Sequence, residues 1–241
     1  MNHAVAVPPD LIPATIAEIR QETPRVKSVR LAVGEGFRFR PGQWIDLAVN
    51  IGGETVVAGY SIVSTPATRG TIQLAVKSAE HHPVTRYLHE MARPGDTVRI
   101  SPSGQGNFYF EPDMADKVVL LGAGIGVTPL VGILRSIHEQ MPEVRATLLY
   151  SVTESNEILF WDELERMGLA PNIRCVITVT REAEDWQGHT GRISHDLLRA
   201  MNLPPDALYY YCGSREFIED MTVMLEELGI EKGRLVFEKW W

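Results

Sequence analysis

Cysteine is scarce in this chain. Cys175 and Cys212 are its two in 241 residues, too few for a disulfide framework and in keeping with a reducing compartment. The cytoplasm is the expected location. Long apolar runs are absent too: none approaches the roughly 20 residues that a membrane-spanning helix needs. The opening Met1–Pro9 segment has neither a basic stretch nor a long apolar core, so no signal peptide is expected. Repeats and low-complexity tracts are missing, and so is any basic excess, the net charge being −8. The acidic surplus sits in one half. Residues 1–115 hold 11 Lys and Arg against 11 Asp and Glu, and residues 116–241 hold 12 against 20. That balance argues against nucleic acid as a partner.

Two short segments carry most of the information. The first is Gly59-Tyr60-Ser61-Ile62-Val63-Ser64 and the second Leu120-Leu121-Gly122-Ala123-Gly124-Ile125-Gly126-Val127-Thr128-Pro129. The second follows Val118-Val119 and reads as a buried strand, a glycine turn and a helix opening at Thr128-Pro129. Thr128 suits the cap and Pro129 the first turn. Glycines let a phosphate approach backbone N–H groups, and a helix N-terminus adds partial positive charge. Ile125 and Pro129 set this turn apart from the usual dinucleotide fingerprint.

The organisation changes halfway. Thr15–Arg20, Val26–Val33, Trp44–Val49, Thr55–Val63, Thr71–Lys77 and Thr97–Ser101 are short β-rich runs. Turns such as Arg40-Pro41-Gly42-Gln43 and Arg93-Pro94-Gly95-Asp96 separate them, and six strands so spaced predict a small antiparallel barrel. One helix interrupts, Pro83–Met91, with Val84, Tyr87, Leu88 and Met91 on one face. Arg20, Arg25, Arg30, Arg38 and Arg40 form either a docking patch for an acidic protein or a solvated strand face. Beyond Glu111-Pro112-Asp113, strands alternate with helices. The expected strands are Val118–Leu121, Ala146–Ser151, Arg174–Thr180, Leu208–Tyr211 and Leu235–Glu238. The expected helices are Thr128–Gln140, Ile158–Met167, Ser194–Met201 and Arg215–Leu228. This predicts a doubly wound parallel sheet binding ligands beyond the carboxyl ends of its strands. The expected division is a six-stranded antiparallel barrel over residues 1–112 and a doubly wound α/β domain over 113–241.

A barrel, then such a sheet, with these motifs in this order, resembles the ferredoxin–NADP reductase superfamily across nearly the whole chain. The resemblance implies FAD and NADP or NAD as cofactors. The family's Arg-x-Tyr-Ser flavin motif stands here as Ala58-Gly59-Tyr60-Ser61. It implies that Tyr60 stacks on the isoalloxazine, that Ser61 hydrogen-bonds near flavin N5, and that Ile62 and Val76 also contact FAD. The family arginine that meets the flavin phosphates is replaced by Ala58, and His82-Pro83-Val84-Thr85 matches a turn lying against the diphosphate. His81 and His82 have no third ligand spaced with them, so no metal is expected. Ser103-Gly104-Gln105-Gly106-Asn107-Phe108 matches the glycine loop that closes the family's barrel.

On the nicotinamide side, Gly124, Ile125, Gly126, Thr128 and Pro129 match the family's Gly-x-Gly-x-x-Pro turn. Cys212-Gly213-Ser214 resembles its Cys-Gly-Pro motif, implying that Cys212 lies near the hydride-bearing carbon; a buried structural cysteine is the other reading. Thr180-Arg181 and Arg192 match basic positions that meet the 2′-phosphate of NADP, an anion suited to an arginine fork. Thr153 replaces a third such position, and Glu182, Glu184 and Asp185 crowd the loop. At the end of the chain, Phe237-Glu238-Lys239-Trp240-Trp241 resembles the oxidoreductase NAD-binding domain-containing subgroup. A terminal aromatic there stacks on flavin or adenine, and a near-terminal carboxylate, here Glu238, aids proton traffic; packing between domains is the other reading of the two indoles.

The implied activity is that of an NAD(P)H-dependent flavoprotein reductase, with Ser61, Cys212 and Glu238 as catalytic residues. Its acceptor would be a small one-electron carrier: ferredoxin, flavodoxin or an oxygenase component. No Cys-x4-Cys-x2-Cys run exists in the chain, so an iron–sulfur centre belongs on a partner. Two alternatives stay open: an NADH-dependent reductase of free flavin or small acceptors, and a non-catalytic binding module on the same fold.

Overall fold

The structure is a computed structural model that describes residues 8–181 and 186–239. Its first half is a six-stranded antiparallel sheet of β1 (Ile12–Thr23), β2 (Val26–Gly34), β3 (Trp44–Ile51), β4 (Glu54–Ser61), β5 (Gly70–Lys77) and β6 (Thr97–Ile100). The strand order is β4-β3-β6-β1-β2-β5. A bridge between Ile62 and Leu74 joins the two outer strands, and the Val63 N–H donates to the Gln73 carbonyl at 2.8 Å. The sheet thereby closes on itself as a barrel and loses its edges. Alternation fills it: Ile16, Val29, Leu31, Ile45, Leu47, Ile72, Leu74 and Ile100 are almost wholly buried.

A short helix, α1 (Pro83–Arg86), continues as a wider turn over Tyr87–Met91, closed by a bond from the Ala92 N–H to the Tyr87 carbonyl at 2.8 Å. This is the one-turn π form. It corrects the expected helical face, because the wider turn breaks the phase: Val84 and Leu88 are buried while Met91 is 63 % exposed.

The second half is a parallel sheet of β7 (Lys117–Ala123), β8 (Arg145–Val152), β9 (Ile173–Val179), β10 (His189–Thr190), β11 (Leu208–Cys212) and β12 (Leu235–Phe237). Its order is β10-β9-β8-β7-β11-β12. The helices are α2 (Val127–Gln140), α3 (Trp161–Met167), α4 (His195–Ala200) and α5 (Arg215–Glu227). Apolar clusters cover both sheet faces, as a buried parallel sheet requires.

Several boundaries differ from expectation. Helix α2 starts one residue early, at Val127, after a 3-10 turn over Gly124–Gly126. Thr128 is therefore inside the first turn rather than at the cap, and its hydroxyl donates to the Ile125 carbonyl at 2.9 Å. Helix α3 begins at Trp161, not Ile158, because Phe160 holds a left-handed backbone at φ 58°, which a helix cannot include. Strand β12 ends at Phe237, one residue short of Glu238. Strand β10 has two residues, too few to leave a pattern.

Four of the five arginines are engaged by carboxylates or backbone carbonyls. Arg20 and Arg30 share Glu18, Arg40 pairs with Glu111, and Arg38 donates to backbone carbonyls. Arg25 alone of the five has no such partner among the described residues.

The two halves are held together mainly through α2. Arg135 on α2 is 9 % exposed and makes two bonds to Glu163, at 2.6 and 2.7 Å. It also donates to the Val63 carbonyl (2.7 Å) and Gln73 (3.1 Å) of the barrel, and lies over the Phe160 ring. Thr65 donates to Glu139 at 2.7 Å, and the Tyr210 hydroxyl to the Tyr109 carbonyl at 2.7 Å. Gly132 completes the joint: a Cβ there would stand 2.6 Å from the Ile62 carbonyl oxygen, so only glycine lets α2 approach so closely.

Candidate functional site

Strands β7 and β11 lie side by side, yet the chain leaves β7 toward β8 and leaves β11 toward β12, on the other flank. This reversal is a topological switch point, where a crevice opens beyond the carboxyl ends of the strands. A cleft of about 230 Å³ sits there, between the sheet and the barrel. From the barrel come Gly59, Tyr60, Ser61, Ala75, Val76 and Lys77; from the sheet come Ile125, Gly126, Thr128, Cys212 and Gly213. The two segments singled out in the sequence are thus brought face to face. A cavity of about 820 Å³ beside Trp161 and Trp186 is larger, but it lies away from these segments and from the switch point.

Tyr60 is the penultimate residue of β4 and borders the cleft. Its hydroxyl is bonded to Thr85 Oγ1 at 2.9 Å, which fixes the ring against α1. Burial pushes its phenol up to about 12, with the Thr85 bond opposing, so the ring is neutral and offers a flat apolar wall. Ser61 is 7 % exposed, borders the same cleft, and its hydroxyl has no bond to any described residue, leaving it to a ligand.

The opposite wall depends on two glycines. Gly124 has φ +53°, a backbone that other residues adopt only under strain. Gly126 is constrained by space: a Cβ there would stand 2.6 Å from the Cys212 carbonyl carbon and 2.7 Å from Gly213 Cα. Cys212, the last residue of β11, is buried at 1 % exposure and borders the cleft. Ser214 then caps α5 by accepting from the Phe217 N–H at 3.2 Å, which holds the turn after Cys212 in place.

Other expected residues fall elsewhere. Ile62 is fully buried in the barrel core; its side chain does not border the cleft, a correction to its expected flavin contact. Val84 is likewise fully buried in that core. His82 and Thr85 border a second, open cavity of about 780 Å³ on the barrel side, at the start of α1 where Pro83 occupies the first position. Burial lowers the pKa of His82. Among the described residues no three His, Cys, Asp or Glu groups are placed to hold a metal ion.

Glu238 lies against the barrel rather than in the lining of the cleft. A Cβ on Gly106 would stand 3.2 Å from its Oε1 and 2.6 Å from Trp44 Nε1, and Trp44 is the strand partner of Ser61. Thr180 and Arg181 follow β9, and Arg192 follows β10, at the carboxyl edge of the sheet. Arg181 is paired with Glu154 at 2.9 Å and Arg192 with Glu216 at 3.2 Å, all four strongly exposed. Trp240, Trp241, Glu182, Glu184 and Asp185 lie outside the described residues. Sequence reasoning missed Lys77 in the cleft and Arg135 at the joint. Lys77 neighbours Val76 at the end of β5, a signal that was available; Arg135 has partners 28 to 72 residues away and leaves no local pattern.

The residues fit a flat tricyclic flavin ring. An aromatic wall, small apolar neighbours in Ala75 and Val76, and an uncommitted hydroxyl face a glycine-lined wall close to a helix start. The Oxidoreductase FAD-binding domain family matches residues 13–109, and the Oxidoreductase NAD-binding domain family matches residues 120–222. The chain is 34% identical to the Oxidoreductase NAD-binding domain-containing protein 1 of Danio rerio, over 96% of this chain and 93% of that protein. It is 30% identical to the glycine betaine monooxygenase reductase subunit of Chromohalobacter salexigens, over 81% of this chain and 54% of that one. Among solved structures, the flavohem-like FAD/NAD binding domain of nitric oxide dioxygenase from Vibrio cholerae superposes with a TM-score of 0.84 at 25% identity, covering 94% and 97% of the two chains.

Proposed function

The chain belongs to the ferredoxin–NADP reductase superfamily of FAD- and NAD-binding oxidoreductases, and from that premise we propose that it is an NAD(P)H-dependent reductase serving a one-electron acceptor. The observation that carries the proposal is the cleft in which Tyr60 and Ser61 face Gly126 and Cys212 across the switch point. Bound FAD supplies the ability to take two electrons from a nicotinamide and release them singly.

The protein's own work is binding, orientation and exclusion of water. Tyr60 forms one wall, held by Thr85. The Ser61 hydroxyl is placed to donate to the reacting edge of the flavin. Gly126 lets the loop after β7 lie against the turn after β11, so that a nicotinamide reaches the flavin over Cys212. Arg135 keeps both walls in register. At the outer edge, the proposed role of Arg181 and Arg192 is to meet the 2′-phosphate, which would favour NADPH over NADH. Their exposed pairs with Glu154 and Glu216 are worth little in water, so a dianion can displace the carboxylates.

The acceptor is proposed to be a small carrier protein or oxygenase component, in line with the reductase subunit among its relatives. The test is to purify the protein with FAD, reduce it anaerobically with NADPH and with NADH, and supply ferredoxin, flavodoxin or free flavin as acceptor. Bleaching of the flavin band by either nucleotide, followed by turnover with a protein carrier, supports the reading. Turnover with free flavin alone contradicts the acceptor assignment, and no bleaching contradicts the reductase itself.

A further inference from the structure

The second cavity raises a question of charge. It opens where Thr85 meets the Tyr60 hydroxyl, one side chain away from the wall assigned to the flavin ring, and it is bordered by Arg25, Ser78, His82, Arg86, His89 and Glu80. Taking FAD as the cofactor, as the function proposed above requires, the cavity adjoins that wall through the Tyr60–Thr85 pair and has room for the remainder of the molecule. Its diphosphate carries two negative charges, and a buried or half-buried anion needs a partner. Position 58 supplies none: Ala58 is 9 % exposed and packs into the barrel core.

His81 also borders the cavity, and the two arginines there differ in what holds them. Arg86 is paired with Glu90 at 3.3 Å, an exposed pair of the same displaceable kind as those of Arg181 and Arg192. His89 Nε2 is bonded to the Val76 carbonyl at 2.9 Å. Burial disfavours the charged form of His82. Lys77 borders the cleft between the two halves and not this cavity, whereas Arg25 borders this cavity and also a small pocket of about 20 Å³ that it shares with Lys77, Gly124 and Ile125. Glu80 adds negative charge and sharpens the need for a cation. Arg25 remains. It stands on the β1–β2 turn, and its carbonyl accepts from the Ser78 N–H at 2.8 Å. That bond fixes its backbone at the cavity wall, while its guanidinium has no ion pair among the described residues.

We propose that Arg25, on the β1–β2 turn, is the residue that holds the FAD diphosphate. A guanidinium suits this task because its forked donors match two phosphate oxygens at once.

The test is equilibrium dialysis of the full chain against FAD and, separately, against riboflavin, which has the same ring and no phosphate. Arg25→Ala and Arg25→Gln are each expected to weaken FAD roughly tenfold or more, the effect of one lost charged hydrogen-bonding group, with riboflavin changed less than twofold. Arg25→Lys is expected to recover part of the loss. The FAD affinity of the unsubstituted protein should also fall more steeply with salt than that of Arg25→Gln. Equal weakening of FAD and riboflavin, or unchanged FAD affinity in Arg25→Gln, would overturn the assignment while leaving the flavoprotein reading intact. Failure of the unsubstituted protein to bind either flavin would overturn both.

Discussion

The inner and outer ends of the site are built on opposite principles. At the inner end, between Tyr60, Ser61, Gly126 and Cys212, shape is fixed before any ligand arrives. Tyr60 is tied to Thr85, Gly126 is packed against the Cys212–Gly213 backbone, and Arg135 clamps the two halves from within. At the outer end, Arg181 and Arg192 stand in solvent, each paired with one carboxylate. On the function proposed above, rigid geometry would serve the step in which two rings stack, and exchangeable ion pairs would serve recognition of a remote phosphate. Changes at the inner end should therefore cost rate or stability, and changes at the outer end should shift preference.

The largest effect is expected from Gly126→Ala, whose new methyl group collides with backbone rather than with a flexible side chain. Because the collision lies on the nicotinamide wall, flavin reduction by NADPH should slow by about 100-fold or more, the scale of an ångström-sized misplacement. FAD affinity should change little; stopped-flow reduction and FAD dialysis together check this. Loss of FAD with an unchanged reduction rate in the residual holoprotein would reverse the assignment of the walls.

Arg135→Ala comes next. A fully buried ion pair broken on one side costs roughly 3–5 kcal/mol. Glu163 is 30% exposed and can rehydrate, so about 2 kcal/mol of lost stability is expected on that scale, read from urea unfolding. A loss below 0.5 kcal/mol, the level of a surface pair, would place the joint with the outer end.

Ser61→Ala should leave FAD bound and slow its reduction on the order of tenfold, the effect of losing about 1.4 kcal/mol of transition-state contact. An unchanged rate would remove the hydroxyl from the chemistry. At the outer end, Arg181→Ala and Arg192→Ala should each weaken NADPH several-fold to tenfold or more while leaving NADH nearly unchanged. Equal effects on both nucleotides would assign these arginines to the shared diphosphate or to the fold. The smallest effect belongs to Glu154→Gln: freeing Arg181 from an exposed pair should strengthen NADPH by no more than about threefold.

Much of the inner end was legible in the sequence because backbone chemistry writes it there. A strand ending in Tyr60-Ser61, glycines at 124 and 126, and Cys212 closing a β-rich run all follow from local pattern. The alternation of strands and helices likewise announced the barrel and the doubly wound sheet. What escaped notice was set by tertiary contacts. The π turn moved Met91 to the surface, and a left-handed Phe160 under Arg135 delayed α3. Arg135 and Arg25 owe their places to residues distant in sequence, and Ile62 looked like a flavin contact while its side chain completes the barrel core.

The most direct measurement is a crystal structure of the FAD-loaded protein. The account predicts the isoalloxazine ring against Tyr60, its reacting edge within hydrogen-bond reach of the Ser61 hydroxyl, and its free face turned toward Gly126 and Cys212. A flavin ring found elsewhere, above all in the larger cavity beside Trp161 and Trp186, would contradict it.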